Sequence, residues 1–142
     1  MSAAHESRPA AAHGSPLVFV VDDEPVSAEI VAELLQLAGY RTRVFNDPRV
    51  AVEELRRSSV KPDVLLLDEV LSTGDAAFRE KSRARIVELM HKAHAIVYVT
   101  HDLESAAKFC TKAIEIEEGR IVASGPTQQV VDAYIKKMDS KR

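Results

Sequence analysis

The sequence is poor in several residue types that mark common protein classes. It has no tryptophan, one cysteine (Cys110) and only 5% aromatic residues among its 142 residues. A single cysteine cannot form a disulfide within the chain and is typical of a reducing compartment, so we expect a cytoplasmic protein. No apolar run approaches the roughly 20 residues that a membrane-spanning helix requires, and we therefore expect no membrane association.

The chain also lacks a large excess of charge of either sign, since it has 19 basic and 22 acidic residues and a net charge of −3. This balance argues against nucleic-acid binding through bulk positive charge, and we expect no nucleic-acid partner. Hydrophobic residues make up 46% of the chain, which is enough to fill one core. We predict a disordered tail over 1–15, where no large aliphatic residue occurs, and a single α/β domain over 16–142.

Apolar strand patterns alternate with helical patterns after the tail. The predicted strands cover 17–21, 41–46, 63–70, 95–100 and two segments within 113–125. Two predicted helices begin at Pro25 and Pro48, and three more cover 76–93, 103–110 and 127–138. Buried strands joined by helices are typical of a parallel sheet with helices on both faces.

Polar residues collect where these strands end. They are Asp22 and Asp23 after the first strand, Asp68 and Glu69 at the third, and Thr100, His101 and Asp102 at the fourth. Sites in parallel α/β sheets lie beyond the carboxyl ends of the strands, so these residues are candidates for one site. Carboxylate oxygens suit Mg²⁺, whereas the simpler interpretation is that the acids only cap the helices that follow.

The first part of the chain resembles a response-regulator receiver domain. The resemblance covers residues 16–68 and rests on VFVVDDEP, AELLQLAGYRTRVF and KPDVLLLD. It implies that Asp22 and Asp23 help to bind Mg²⁺ and that Asp68 accepts a phosphoryl group. By the same resemblance Thr100 would be the switch hydroxyl, and a small phosphodonor or a histidine kinase would be the partner.

The second part resembles the end of an ABC-transporter ATPase domain of the polysaccharide-exporter type. The similar stretches are VLLLDEVLSTGD, VYVTHD and AIEIEEGRIVASGPTQQVVDAY, between residues 63 and 138. The resemblance implies that Asp68 would position Mg²⁺, that Glu69 would polarise water, and that His101 would sense a γ-phosphate. However, the sequence has no G-x-x-x-x-G-K-[ST] motif and no Gly-Lys pair. We therefore expect no ATP binding, treat Glu69 and His101 as relics, and do not predict an enzyme.

The two resemblances share DVLLLD, which predicts a chimera, engineered or recombinant, of a receiver part (16–68) and an ATPase part (69–142). The implied fold is a three-layer, flavodoxin-like sandwich with strand order 2-1-3-4-5 and an additional edge strand. At the fifth strand the chain offers Glu115, Glu117 and Glu118 instead of the receiver lysine, and these would repel a phosphate.

The predicted function is therefore an acidic site that binds Mg²⁺ and accepts a phosphoryl group on Asp68, without a working switch. One alternative is a scaffold that has no selected activity. Another is a fragment of a transporter ATPase that has lost its phosphate-binding loop. A monomer is favoured, and a strand-swapped dimer is the alternative assembly.

Overall fold

A computed structural model of the chain describes residues 14–69 and 76–142. Most of the predicted tail (1–13) and the predicted turn over 72–75 lie outside the described residues. The chain divides into two compact units, one ending at Val97 and the other running from Tyr98 to Arg142. The single domain expected over 16–142 therefore stays a prediction.

A four-stranded sheet carries the first unit. Its elements in chain order are β1 (Leu17–Asp22), α1 (Pro25–Leu37), β2 (Arg41–Phe45), α2 (Pro48–Arg57), β3 (Val64–Asp68), α3 (Ala76–Lys92) and β4 (Ala95–Val99), whose last two residues cross the unit boundary. The strand order is β2-β1-β3-β4, and β1 runs parallel to both β2 and β3. The predicted α/β class and the first four places of the predicted strand order are confirmed.

The core lies on both faces of β1, every residue of which is buried. On one face Val18 and Val20 pack with Ala28 of α1. Because side chains alternate along a strand, Phe19 points to the other face, where its ring lies 4.9 Å from the ring of Phe45. Helix α2 contacts both β1 and α3. The sheet is therefore covered by helices on both faces, as the continuous apolar run of β1 predicts.

The helices that follow β1 and β2 begin in the same way. The carboxylate of Glu24 accepts hydrogen bonds from the amides of Val26 and Ser27, and Pro25 occupies the first turn of α1. Asp47 caps α2, in which Pro48 has the same role. An acidic cap followed by proline satisfies amides that lack a partner within the helix, and it fixes where the helix begins. Each helix therefore begins directly after a strand ends.

Only some of the apolar residues of α1 face the core. Val31 and Leu35 pack against the core cluster. Ile30, Leu34 and Leu37 are instead exposed, with Leu37 at 85%. These three residues therefore face away from the core cluster.

Strand β4 was predicted to be buried, and this prediction was wrong. The strand lies at one edge of the sheet. Val97 is 48% exposed and Val99 is 45% exposed. An apolar run predicts a strand, but it carries no information on whether a further strand pairs beside it. The sequence pattern alone therefore could not distinguish a central strand from an edge strand.

The second unit is built from a helix, a hairpin and a second helix. Its elements are α4 (Leu103–Phe109), β5 (Lys112–Glu117), β6 (Arg120–Pro126) and α5 (Thr127–Ser140). Strands β5 and β6 are antiparallel and form a separate two-stranded sheet, which α5 contacts through both strands.

The position of β5 differs from the predicted fifth place in the parallel sheet. Its connection to β6 is the two-residue turn Glu118-Gly119, in which both residues have positive φ, 49° and 76°. Turns of this kind favour tight antiparallel hairpins. Closing so short a loop also costs less entropy than bringing a distant strand into register, so β5 pairs with its neighbour in the chain.

Candidate functional site

The candidate site lies where β1 and β3 end. Asp22 and Asp68 are the last residues of these parallel strands and are register partners. Neighbouring strands lie about 4.8 Å apart, so the two backbones hold these acids side by side. Asp22 is buried and Asp68 is half-buried. Asp23, the next residue along the chain, is exposed.

Asp22 is held in place by its neighbours on both sides. Its Oδ1 accepts a hydrogen bond of 3.0 Å from the amide of Glu24. Its backbone carbonyl accepts a hydrogen bond of 3.0 Å from Nδ2 of Asn46, which follows β2. Sequence reasoning missed Asn46, although its position after a strand marks it as a candidate for a role at the strand ends. The amide of Glu24 therefore holds the Asp22 carboxylate, and Asn46 ties the Asp22 backbone to the end of β2.

Burial, together with the like charges around it, makes Asp68 the unusual acid of this group. Burial is the main factor that raises the pKa of the Asp68 carboxyl above its ordinary value, and the negative charges of Asp22, Glu69 and Asp23 raise the pKa further. Burial and like charges both disfavour the ionised form. A cation placed among these carboxylates would remove this penalty.

Glu69 follows Asp68 in a left-handed backbone conformation, with φ of +46°. A residue other than glycine pays roughly 1–2 kcal/mol for this conformation. The chain thus turns sharply directly after the acid that ends β3. This turn keeps the half-buried Glu69 close enough to Asp68 to contribute to its raised pKa.

The carboxylate oxygens at the ends of β1 and β3 are ligands of the kind that Mg²⁺ takes. Within residues 14–69 and 76–142, no group of three or more His, Cys, Asp or Glu side chains is arranged to hold a metal ion. Mg²⁺ usually takes only one or two carboxylates and keeps several waters. Asp22 and Asp68, as register partners, supply two adjacent carboxylates of this kind.

Thr100 and His101 belong to the second unit, next to the start of α4. The Thr100 hydroxyl accepts a hydrogen bond of 3.0 Å from the amide of Asp102. Asp102 caps α4 by accepting from the amides of Glu104 and Ser105, at 3.1 Å and 3.3 Å. These contacts give Thr100 a local structural role. The switch role of Thr100 and the relic role of His101 stay predictions.

The glutamates of β5 have a partner that the sequence interpretation did not foresee. Nζ of Lys137 on α5 lies 3.0 Å from Oε1 of Glu115 and also pairs with Glu117. The hydrogen bond from Lys137 lowers the pKa of Glu117, and the hydrogen bond to Glu117 raises the pKa of Lys137. Because β5 is not a strand of the parallel sheet, the expectation that Glu115, Glu117 and Glu118 take the place of the receiver lysine loses its structural basis.

No protein-family model matches the chain. Similarity to curated proteins is to export ATP-binding proteins. The chain is 33% identical over 75 residues to the teichoic acids export ATP-binding protein TagH of Bacillus anthracis, covering 53% of this chain and 14% of the relative. It is 33% identical over 81 residues to the O-antigen export system ATP-binding protein RfbB of Klebsiella pneumoniae, covering 57% of this chain and 33% of the relative.

Solved structures similar to the chain include receiver domains. A response regulator from Colwellia psychrerythraea matches with a TM-score of 0.46 and 22% identity, over 66% of this chain and 72% of that one. The signal receiver domain of a putative Luxo repressor protein from Vibrio parahaemolyticus matches with a TM-score of 0.48 and 20% identity, over 66% of this chain and 69% of that one.

The curated relatives belong to one of the two families that the sequence resembles, the transporter ATPases. The likeness to export ATP-binding proteins is confirmed over about half of its length. The chain spans a third or less of the length of these curated relatives. No helix in the described part of the chain has both the length and the apolar composition needed to cross a membrane.

Proposed function

We propose that the carboxyl ends of β1 and β3 form a divalent-cation site at which Asp68 accepts a phosphoryl group. The observation that carries this proposal is the register pairing of Asp22 with Asp68, together with the pKa of Asp68, which burial and the neighbouring acids raise. Two carboxylates held side by side with unfavourable charge are suited to bind Mg²⁺ through oxygen.

Each acid has a distinct task in this proposal. Asp22 is buried and held by the amide of Glu24, so it offers a carboxylate in a fixed position. Asp68 is half-buried and can therefore meet a small phosphodonor from solvent. When bound, Mg²⁺ would neutralise charge on both carboxylates and on the donor's phosphoryl oxygens. Binding would lower the pKa of Asp68 and favour the ionised form, which is the nucleophile.

The phosphoryl transfer itself is a simple substitution at phosphorus. An Oδ atom of ionised Asp68 forms a bond to the phosphorus of an acyl phosphate such as acetyl phosphate. The bond between that phosphorus and the acyl oxygen breaks, and acetate leaves with the electron pair. No oxidant, reductant or external base is required. A histidine kinase is the proposed protein phosphodonor, by resemblance to receiver domains.

We further propose that the phosphorylated protein has no working switch. Thr100 is engaged by the amide of Asp102, and Lys137 of α5 is paired with Glu115 and Glu117. A cytoplasmic location remains part of the proposal on the ground of the single cysteine.

Phosphorylation can be tested by incubating the full chain with acetyl phosphate and Mg²⁺ and measuring its intact mass. The expected result is the addition of one phosphoryl group that requires Mg²⁺ and is absent from Asp68→Asn. A matched control is Asp132→Asn, which changes an exposed aspartate of α5 in the same way and should leave phosphorylation intact. Unmodified protein at saturating acetyl phosphate would favour a scaffold without selected activity.

A second candidate function, ATP binding, is favoured only by the similarity to export ATP-binding proteins. We propose that this activity is absent, because the sequence has no Gly-Lys pair to build a phosphate-binding loop. Titration with ATP and Mg²⁺ followed by calorimetry should give no saturable heat. Saturable binding that Glu69→Gln or His101→Ala alters would instead support an ATPase fragment.

A further inference from the structure

The two edges of the four-stranded sheet differ in charge. Strand β4 forms one edge and β2 the other. The sequence of β4 is AIVYV, which contains no charged residue, proline or glycine. Its side chains at Ala95, Val97 and Val99 are exposed. An uncharged apolar edge strand can pair through its backbone with another strand.

The opposite edge carries the features that prevent such pairing. Arg41 and Arg43 are exposed along β2. The guanidinium of Arg43 forms an ion pair with Glu54 and lies 5.5 Å from the centroid of the Phe45 ring. Charged side chains along an edge strand discourage a second strand from adding to it. Strand β2 thus carries charged residues that protect it, and the sequence of β4 contains none.

We infer that β4 pairs antiparallel with β4 of a second copy of this chain, about a two-fold axis at Val97. In this register Val97 lies opposite the partner's Val97. Ala95 lies opposite the partner's Val99, and the half-buried Ile96 lies opposite the partner's Tyr98. The four-stranded sheets of the two copies then form one continuous sheet. This inference is independent of the proposed phosphorylation, and it differs from the monomer that the sequence favours.

The composition of β4 makes a second copy the fitting partner. Every cross-strand pair in this register joins apolar or aromatic side chains, so self-pairing brings no like charges together. The same two-fold pairing of β2 would place Arg43 opposite the partner's Arg43, which is unfavourable. Two-fold pairing also satisfies the edge amides and carbonyls of both copies at once, and it closes the assembly at a dimer.

Self-association can be measured by sedimentation velocity of the full chain over a wide concentration range. We expect a concentration-dependent dimer for the native chain. Val97→Lys places a charge at the centre of the pairing and should weaken dimerisation by at least about tenfold. The matched control is Val50→Lys, which changes an exposed valine of α2 (55% exposed) and should leave the dimer unchanged. A monomer at every concentration, or equal weakening by both substitutions, would overturn the inference.

A second variant tests the register even if Val97→Lys folds poorly. The axis at Val97 brings each copy's Cα at this position within about 4.5–5.5 Å of the other, a separation that a disulfide can span. We expect Val97→Cys, in a Cys110→Ser background, to form a covalent dimer on mild oxidation. Val50→Cys in the same background should stay monomeric on a denaturing gel. Absence of the cross-link in folded Val97→Cys would contradict the two-fold register.

Discussion

Asp22 and Asp68 end two neighbouring parallel strands as register partners, one buried and the other half-buried. Burial and the negative charges of Asp22, Glu69 and Asp23 raise the pKa of Asp68. Opposite charge or hydrogen bonding usually lowers the pKa of a structural aspartate. The raised pKa of Asp68 means instead that its ionised carboxylate destabilises the folded state. A ligand that supplies positive charge would turn the same arrangement into a binding site.

Replacing Asp68 by asparagine should stabilise the protein at neutral pH. A carboxyl whose folded pKa is raised binds more protons in the folded than in the unfolded state. Stability therefore falls as the pH rises through the window between the unfolded and the folded pKa values. Asp68→Asn removes this penalty, and we expect a gain of roughly 0.5–1 kcal/mol, reduced by solvent screening at this partly exposed residue.

Urea unfolding measured at neutral pH and again below pH ~3.9, the ordinary pKa of aspartate, checks this prediction. The gain from Asp68→Asn should shrink toward zero at the lower pH, where Asp68 is protonated in both states. The control is Asp63→Ala, which removes the acceptor that lies 2.8 Å from the amide of Leu17 and should destabilise. A loss of stability in Asp68→Asn at neutral pH would contradict the assigned repulsion.

Mg²⁺ should stabilise the native chain and not its site variants. A ligand that binds only the folded state adds about 2.7 kcal/mol at one hundred times its Kd. Thermal unfolding at increasing MgCl₂ is therefore expected to raise the Tm of the native chain and of Asp132→Asn. Asp22→Asn and Asp68→Asn should lose this response. Equal stabilisation by NaCl at matched ionic strength would indicate charge screening in place of a specific site.

Asp102 should matter for the stability of α4. Its carboxylate accepts hydrogen bonds from two amides of the first turn and from the hydroxyl of Ser105, at 2.6 Å. Loss of a cap of this kind costs about 0.5–2 kcal/mol, so Asp102→Ala should destabilise the second unit by that amount. Asp102→Asn keeps one acceptor and should cost less. Hydrogen exchange of the α4 amides measures the effect, and equal protection in Asp102→Ala and the native chain would refute the capping role.

Leu67 and Leu34 provide a test of the packing described for the first unit. Leu67 of β3 is fully buried, whereas Leu34 of α1 is 61% exposed. Truncation of a buried leucine to alanine costs about 2–5 kcal/mol, and surface substitutions usually change stability by less than about 0.5 kcal/mol. Chemical denaturation of Leu67→Ala and Leu34→Ala should separate the two by that margin. Similar losses in both variants would mean that α1 is covered on its outer side.

Much of the site could be predicted because it follows from local pattern. The buried run of β1 and the acids that end β1 and β3 are visible in the sequence, and parallel pairing places Asp22 beside Asp68. The side-chain amide of Asn46 was missed because its role depends on the register of β2, which the sequence does not encode locally.

The errors concern choices among distant partners. The burial of β4 depends on whether a further strand pairs beside it, and an apolar pattern cannot express that. The turn at Glu118-Gly119 was visible, but its consequence for β5 was not drawn. A tight hairpin gives β5 a partner close in the chain, and the parallel sheet then ends at β4.

The most direct test of the cation site is the pKa of the Asp68 carboxyl group. It is measured by following the NMR shift of the carboxyl carbon during a pH titration without and with Mg²⁺. In the absence of Mg²⁺ we predict a pKa above the ordinary aspartate value of about 3.9. Saturating Mg²⁺ should lower this pKa. An Asp68 pKa at its ordinary value, or one that Mg²⁺ does not change, would contradict a cation site at the ends of β1 and β3.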